Sequence, residues 1–197
     1  MVVHPAYDDA LANLQQIRRT MADSARFTAV PGWGLVWVGA TALATAWVAS
    51  RWGVAQFDRW MVAWVTDAIV GSTILALAMQ RKAERVRSAL LSGPGQRALL
   101  GLLPPIAAGG VLTAVLYMRG MATPEVVPGL WLLLYGVGVI AAGANSVPLV
   151  PVMGGCFVML GIAAFAVPGT AALWLVPAGF GAVNVIFGAA IARRHGG

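Results

Sequence analysis

Six long apolar runs dominate the pattern along the chain, at about Trp33–Ser50, Trp60–Gln80, Ala98–Met118, Val126–Ala144, Val147–Val167 and Thr170–Ala192. A helix needs roughly 20 predominantly apolar residues to cross about 30 Å of hydrocarbon, and these runs meet that measure. The fold class they predict is all-α: a polytopic membrane helix bundle with six transmembrane helices. Ahead of them, Tyr7, Leu11, Leu14, Ile17 and Met21 recur near a 3.6-residue period, with Asp8, Asn13, Gln15, Gln16, Arg19 and Asp23 on the other side. Residues 5–27 therefore predict an N-terminal amphipathic cytoplasmic helix, suited to the membrane surface, to a partner or to the protein's own cytoplasmic face. The organisation that follows is an interfacial segment, 1–30, and a six-helix membrane domain, 31–197.

Proline and glycine punctuate the runs. Pro31-Gly32 turns the chain into the bilayer, with Trp33 as an interfacial anchor. Pro104-Pro105 removes two adjacent backbone donors and predicts a kink or break in the third helix. Val-Pro-Gly recurs at 30–32, 127–129 and 167–169, and aligning the first two also matches Gly39 with Gly136. A three-helix inverted repeat would give that pattern, and so would the ordinary use of Pro and Gly where helices enter membranes.

Composition supports the membrane class: 59% of the residues are hydrophobic, 10% are charged and the mean hydropathy is +0.80, too little polar surface for a water-soluble domain. The net charge of +6 does not point to nucleic acid, because no basic groove with interleaved aromatics occurs and the cations flank apolar runs. Those cations set orientation instead. Arg18, Arg19 and Arg26, then Arg81, Lys82, Arg85, Arg87 and Arg97, then Arg193 and Arg194 make ten of the thirteen, and six crossings bring them to one side. By the positive-inside rule both termini are expected in the cytoplasm of a bacterial cell whose inner membrane holds the protein. Cys156 is the lone cysteine, so there is no disulfide framework. The polar first thirty residues give no expectation of a cleavable signal peptide.

Asp67 is the only acid within any apolar run. It lies seven residues past Trp60, about 10 Å below the outer boundary, a depth shared by Thr45, Thr113, Tyr117 and Tyr135. Asn184, with Ser72 and Thr73, falls at a deeper level of roughly 20 Å. These residues form a candidate intramembrane polar site. With no basic residue at its depth, Asp67 is expected to be protonated or strongly hydrogen-bonded. Its role is proton coupling, cation binding or ligand recognition, or else a structural hydrogen bond between helices. Arg81, Lys82, Arg85 and Arg87 form a candidate cytoplasmic basic surface suited to anionic lipid or an acidic partner. No catalytic residues, cofactor site or metal site can be drawn: His4 and His195 stand at opposite ends, and no nucleophile-base set or phosphate-cradling loop occurs.

The runs IRRTMADSARFTAVPGWG, VPVMGGCFVMLG and NVIFGAAIARRHGG, taken in order, resemble a family of uncharacterised small six-span bacterial inner-membrane proteins. The resemblance implies membrane location along the whole chain and no assigned activity. It also implies that a histidine can stand where Asn184 stands here, so a histidine-dependent role is not carried over. The function expected is a non-enzymatic binding, sensor or accessory-subunit module, with the lipid bilayer and a protein at the cytoplasmic face as partners. The alternative is a small proton-coupled or solute transporter that uses Asp67.

Overall fold

The computed structural model describes residues 13–14, 30–85, 94–144 and 146–195. The amphipathic helix expected over 5–27 lies outside the described residues, Asn13 and Leu14 apart, and so does Arg87.

Every described element is a helix. In order they are α1 (Gly32–Ala49), α2 (Phe57–Arg85), α3 (Pro94–Met118), α4 (Val127–Gly143), α5 (Leu149–Ala166), α6 (Gly169–Val176) and α7 (Asn184–His195). A π-helical segment, Pro177–Val183, joins α6 to α7, and together the three make one rod. Five stretches are long and apolar enough to cross a membrane: α1, α2 to Lys82, α3 from Gln96, α5, and the α6–α7 rod to Arg194. α4 is the shorter sixth, with 17 residues.

Each rod begins or ends where the backbone demands it. Pro128 sits in the first turn of α4, where its missing donor costs nothing. α3 closes on Gly120 at φ +66°, with the Gly120 and Met121 amides returning to the carbonyls of Tyr117 and Leu116. This is a Schellman stop, and it favours glycine because an L side chain there is strained. α3 runs through Pro104 and Pro105 without the break expected of them. Its contact with α4 supports the rod, since Gly101 lies on the Ala141–Ala142 backbone and Pro105 packs beside Gly138.

The helices form an open arc in the order α2, α1, α6–α7 rod, α5, α4, α3. Its ends are bare: 11% of the α2 span and 6% of the α3 span are buried, against 44% of the α6–α7 rod. Glycines hold the middle together. A methyl built on Gly39 would stand 2.7 Å from the carbonyl oxygen of Gly181, and one on Gly188 would stand 2.8 Å from that of Gly32. The same occurs between α4 and α5, where a methyl on Gly136 would come within 2.7 Å of the Val158 nitrogen. Such backbone-to-backbone approach supplies the van der Waals contact that associates helices where lipid removes the hydrophobic driving force. Gly32 and Gly39 thus face α7, whereas Gly129 and Gly136 face α5. A three-helix repeat would pair α4 with α3 at those positions, so the matched glycines serve non-equivalent neighbours.

The ends of the rods alternate consistently. Gly32 abuts Ala192, and the Lys82 ammonium donates to the carbonyl of Val30 at 2.9 Å, which brings the start of α1 and the ends of α2 and α7 together.

Candidate functional site

α1 is the strip against which Asp67 is held. One side of α1 is given to α7 through Gly32 and Gly39, and another turns to α2, where Gly34 meets Ala78 and Val38 meets Gly71. These small contacts bring α2 close enough for Asp67 to be buried, at 9% exposure, beside the hydroxyls of Thr41 and Thr45, one helical turn apart. The Thr41 hydroxyl donates to the carbonyl of Val38 at 2.9 Å.

The structure brings together only part of the residue set drawn by depth. Thr45 joins Asp67, with Thr41 as the partner that the depth count passed over. Thr113 and Tyr117 ride on α3 at the opposite end of the arc; the Thr113 hydroxyl returns to its own helix at the carbonyl of Gly109, 2.8 Å away, and Tyr117 is exposed. Ser72 and Thr73 are exposed on α2, and Thr73 donates to Ile69 within the helix.

Tyr135 and Asn184 belong to a second cluster, around Phe180 in the π segment. The Tyr135 and Phe157 rings lie 4.9 and 5.2 Å from that of Phe180 and 4.7 Å from each other, and Trp64 approaches Phe180 at 6.5 Å. Trp64 leads on through Trp60 to Phe57 at the start of α2. Asn184 is fully buried, and its two nitrogen donors are used locally. Its backbone amide goes to Gly181, and its side-chain Nδ2 donates to the Phe180 carbonyl at 2.9 Å where the wide turn rejoins the α-helix. Pro177, which lacks an amide proton, begins that wide turn. Two buried polar atoms, Asn184 Oδ1 and Trp64 Nε1, have no partner among the described residues.

Of the candidate basic surface, Arg81 is exposed, while Lys82 is turned inward, at 8% exposure, onto Val30. Lys82 thus joins helix ends and does not face outward as the sequence pattern suggested. A long cation with an apolar stem can do this by burying its chain and placing only the ammonium on a carbonyl.

A half-open cavity of about 180 Å³ lies at the opposite end, between α1, the start of α2 and α6. Trp60, Trp64 and Trp174 form its aromatic walls, with Ser50 and Thr170 as its hydroxyls. It stops at Ala46 and Trp64, so Asp67 does not line it. Among the described residues no three His, Cys, Asp or Glu side chains gather at metal-binding distance. Comparison with known families, curated proteins and solved structures finds no match.

Proposed function

We propose that the chain is a six-span protein of the bacterial inner membrane, with both termini in the cytoplasm, that works as a non-enzymatic binding, sensor or accessory-subunit module. Support for the sixth crossing is the length of α4, whose 17 residues rise about 25 Å, within the range seen for bilayer-spanning helices. Support for the orientation is the shared end at which Lys82, Arg193 and Arg194 lie with the start of α1; cytoplasmic loops are rich in such cations.

The observation that carries the module reading is the clasp on Asp67. A carboxyl group that couples ion or proton movement needs a polar path, and this one is buried between α1 and α2, beside Thr41 and Thr45 of α1 and outside the lining of the outer cavity. Asp67 then serves as a hydrogen-bonded fastener between α1 and α2. The bare faces of α2 and α3 at the two ends of the arc leave room for another membrane helix, and Arg81 with its neighbours offers a cytoplasmic contact.

The test is extraction from native membranes in lipid particles. A partner in fixed stoichiometry, lost when Arg81, Arg85 and Arg87 are all changed to Gln, supports the module. A partner-free, monodisperse protein that moves a solute or protons in proteoliposomes, and stops doing so in Asp67→Asn, would replace it with a carrier.

A further inference from the structure

The outer cavity has features that the module reading does not use. Its volume, about 180 Å³, exceeds the roughly 150 Å³ of an apolar protein cavity known to take up benzene, and so admits one ring or a small fused pair. Its walls are flat, since three of the eight tryptophans of the chain meet there from two different elements. Trp60 is 5% exposed and forms a fixed face, stacked on Phe57 with ring centres 5.3 Å apart; Trp174 is 61% exposed and stands at the mouth.

The polar groups are few and neutral. The Ser50 hydroxyl donates its proton to the carbonyl of Trp47 at 2.8 Å, which leaves its lone pairs to accept. Thr170 is exposed at the first turn of α6 and can donate. No carboxylate lines the cavity, and the charged side chain flanking this end of α1 is Arg51, whose guanidinium lies 4.4 Å from the Trp47 ring. An aromatic box for a cation would have the opposite electrostatics.

We infer that this cavity is a binding site for the ring of a neutral, membrane-soluble aromatic compound bearing a hydroxyl or carbonyl oxygen, of the phenol or quinone class. The ring lies between Trp60 and Trp174, its oxygen meets Thr170 or Ser50, and any apolar tail leaves past Trp174. The indole of Trp64 forms the inner wall. The site does not depend on the existence of a protein partner.

The experiment uses the full chain in nanodiscs, with 5-fluorotryptophan at all eight positions, titrated with menadione and followed by fluorine NMR. Trp→Phe variants assign the signals. The expected result is saturable shifts in the Trp60, Trp64 and Trp174 signals while those of Trp33, Trp37 and Trp131 stay in place. Ala46→Phe, which fills the cavity, should abolish the shifts. Trp174→Ala, a change at an exposed position that the fold tolerates, should weaken binding at least tenfold. Menadione should bind several-fold more tightly than 2-methylnaphthalene, which has the same shape without oxygen. Uniform, non-saturating drift of all eight signals would show simple partition into lipid and overturn the site. Equal binding by Trp174→Ala would overturn it as well. Saturable shifts of the same three signals by tetramethylammonium, with none from menadione, would overturn the neutral-ring assignment.

Discussion

At the residue scale, Asp67 is buried beside the Thr41 and Thr45 hydroxyls, which fixes what its replacements should do. Asparagine can donate from Nδ2 to Thr41 and accept at Oδ1 from Thr45, so Asp67→Asn should change stability little. Asp67→Leu loses both bonds between α1 and α2 and should cost about 0.5–1.5 kcal/mol in a detergent or urea unfolding titration, the size measured for hydrogen bonds between membrane helices. A loss above that range would mean that the acid does more than fasten. Glycines divide just as sharply. A methyl on Gly136 meets backbone at 2.7 Å, whereas one on Gly155 meets nothing within 4 Å. Gly136→Ala should therefore destabilise by about 1–3 kcal/mol through overpacking, while Gly155→Ala should gain up to roughly 1 kcal/mol from helix propensity, with thermal unfolding reporting both. Asp67 was legible in the sequence because a lone acid in an apolar run stands out from the hydropathy. Its partners were less so: counting rise along each helix places Thr45, Thr113 and Tyr117 at one depth, but depth says nothing about position around the bundle.

At the scale of elements, the apolar runs were readable because bilayer thickness sets their length, and the observed helices begin and end within a few residues of the runs. Which face of each meets a neighbour was not readable, since rods that are apolar on every side carry little directional signal. The wide turn at Pro177–Val183 was also missed, although a proline inside an apolar run followed by Gly179 and Gly181 marks a place where the regular ladder can give way. Asn184 holds that turn by occupying the Phe180 carbonyl. Asn184→Leu keeps the volume and leaves the carbonyl without its side-chain donor, so stability should fall by about 1–3 kcal/mol. Amide exchange measured by mass spectrometry should rise over Pro177–Val183 and not in α4; unchanged protection there would separate the asparagine from the turn.

At the scale of the whole molecule, alternation of the rods makes a direct prediction about sidedness. In a Cys156→Ala background, cysteines placed at Arg81 or Gln96 should react with a membrane-impermeant maleimide only after the cells are opened, while cysteines at Val54 or Met121 should react in cells whose outer membrane alone is permeabilised. Labelling of Arg81 and Val54 from the same side would rule out the six-crossing arrangement. The Val-Pro-Gly pattern, which suggested internal symmetry, resolves at this scale into two different glycine seams. One seam, between α1 and α7, unites segments about 150 residues apart, a separation that makes a contact slow to form because a long stretch of chain must be ordered first. Synthesis therefore leaves α1 without its tightest neighbour until Gly181 and Val185 have been made. A ribosome stalled before Gly181 would release a chain whose Gly32 and Gly39 have no backbone to meet, a product that quality-control proteases can tell from the folded arc.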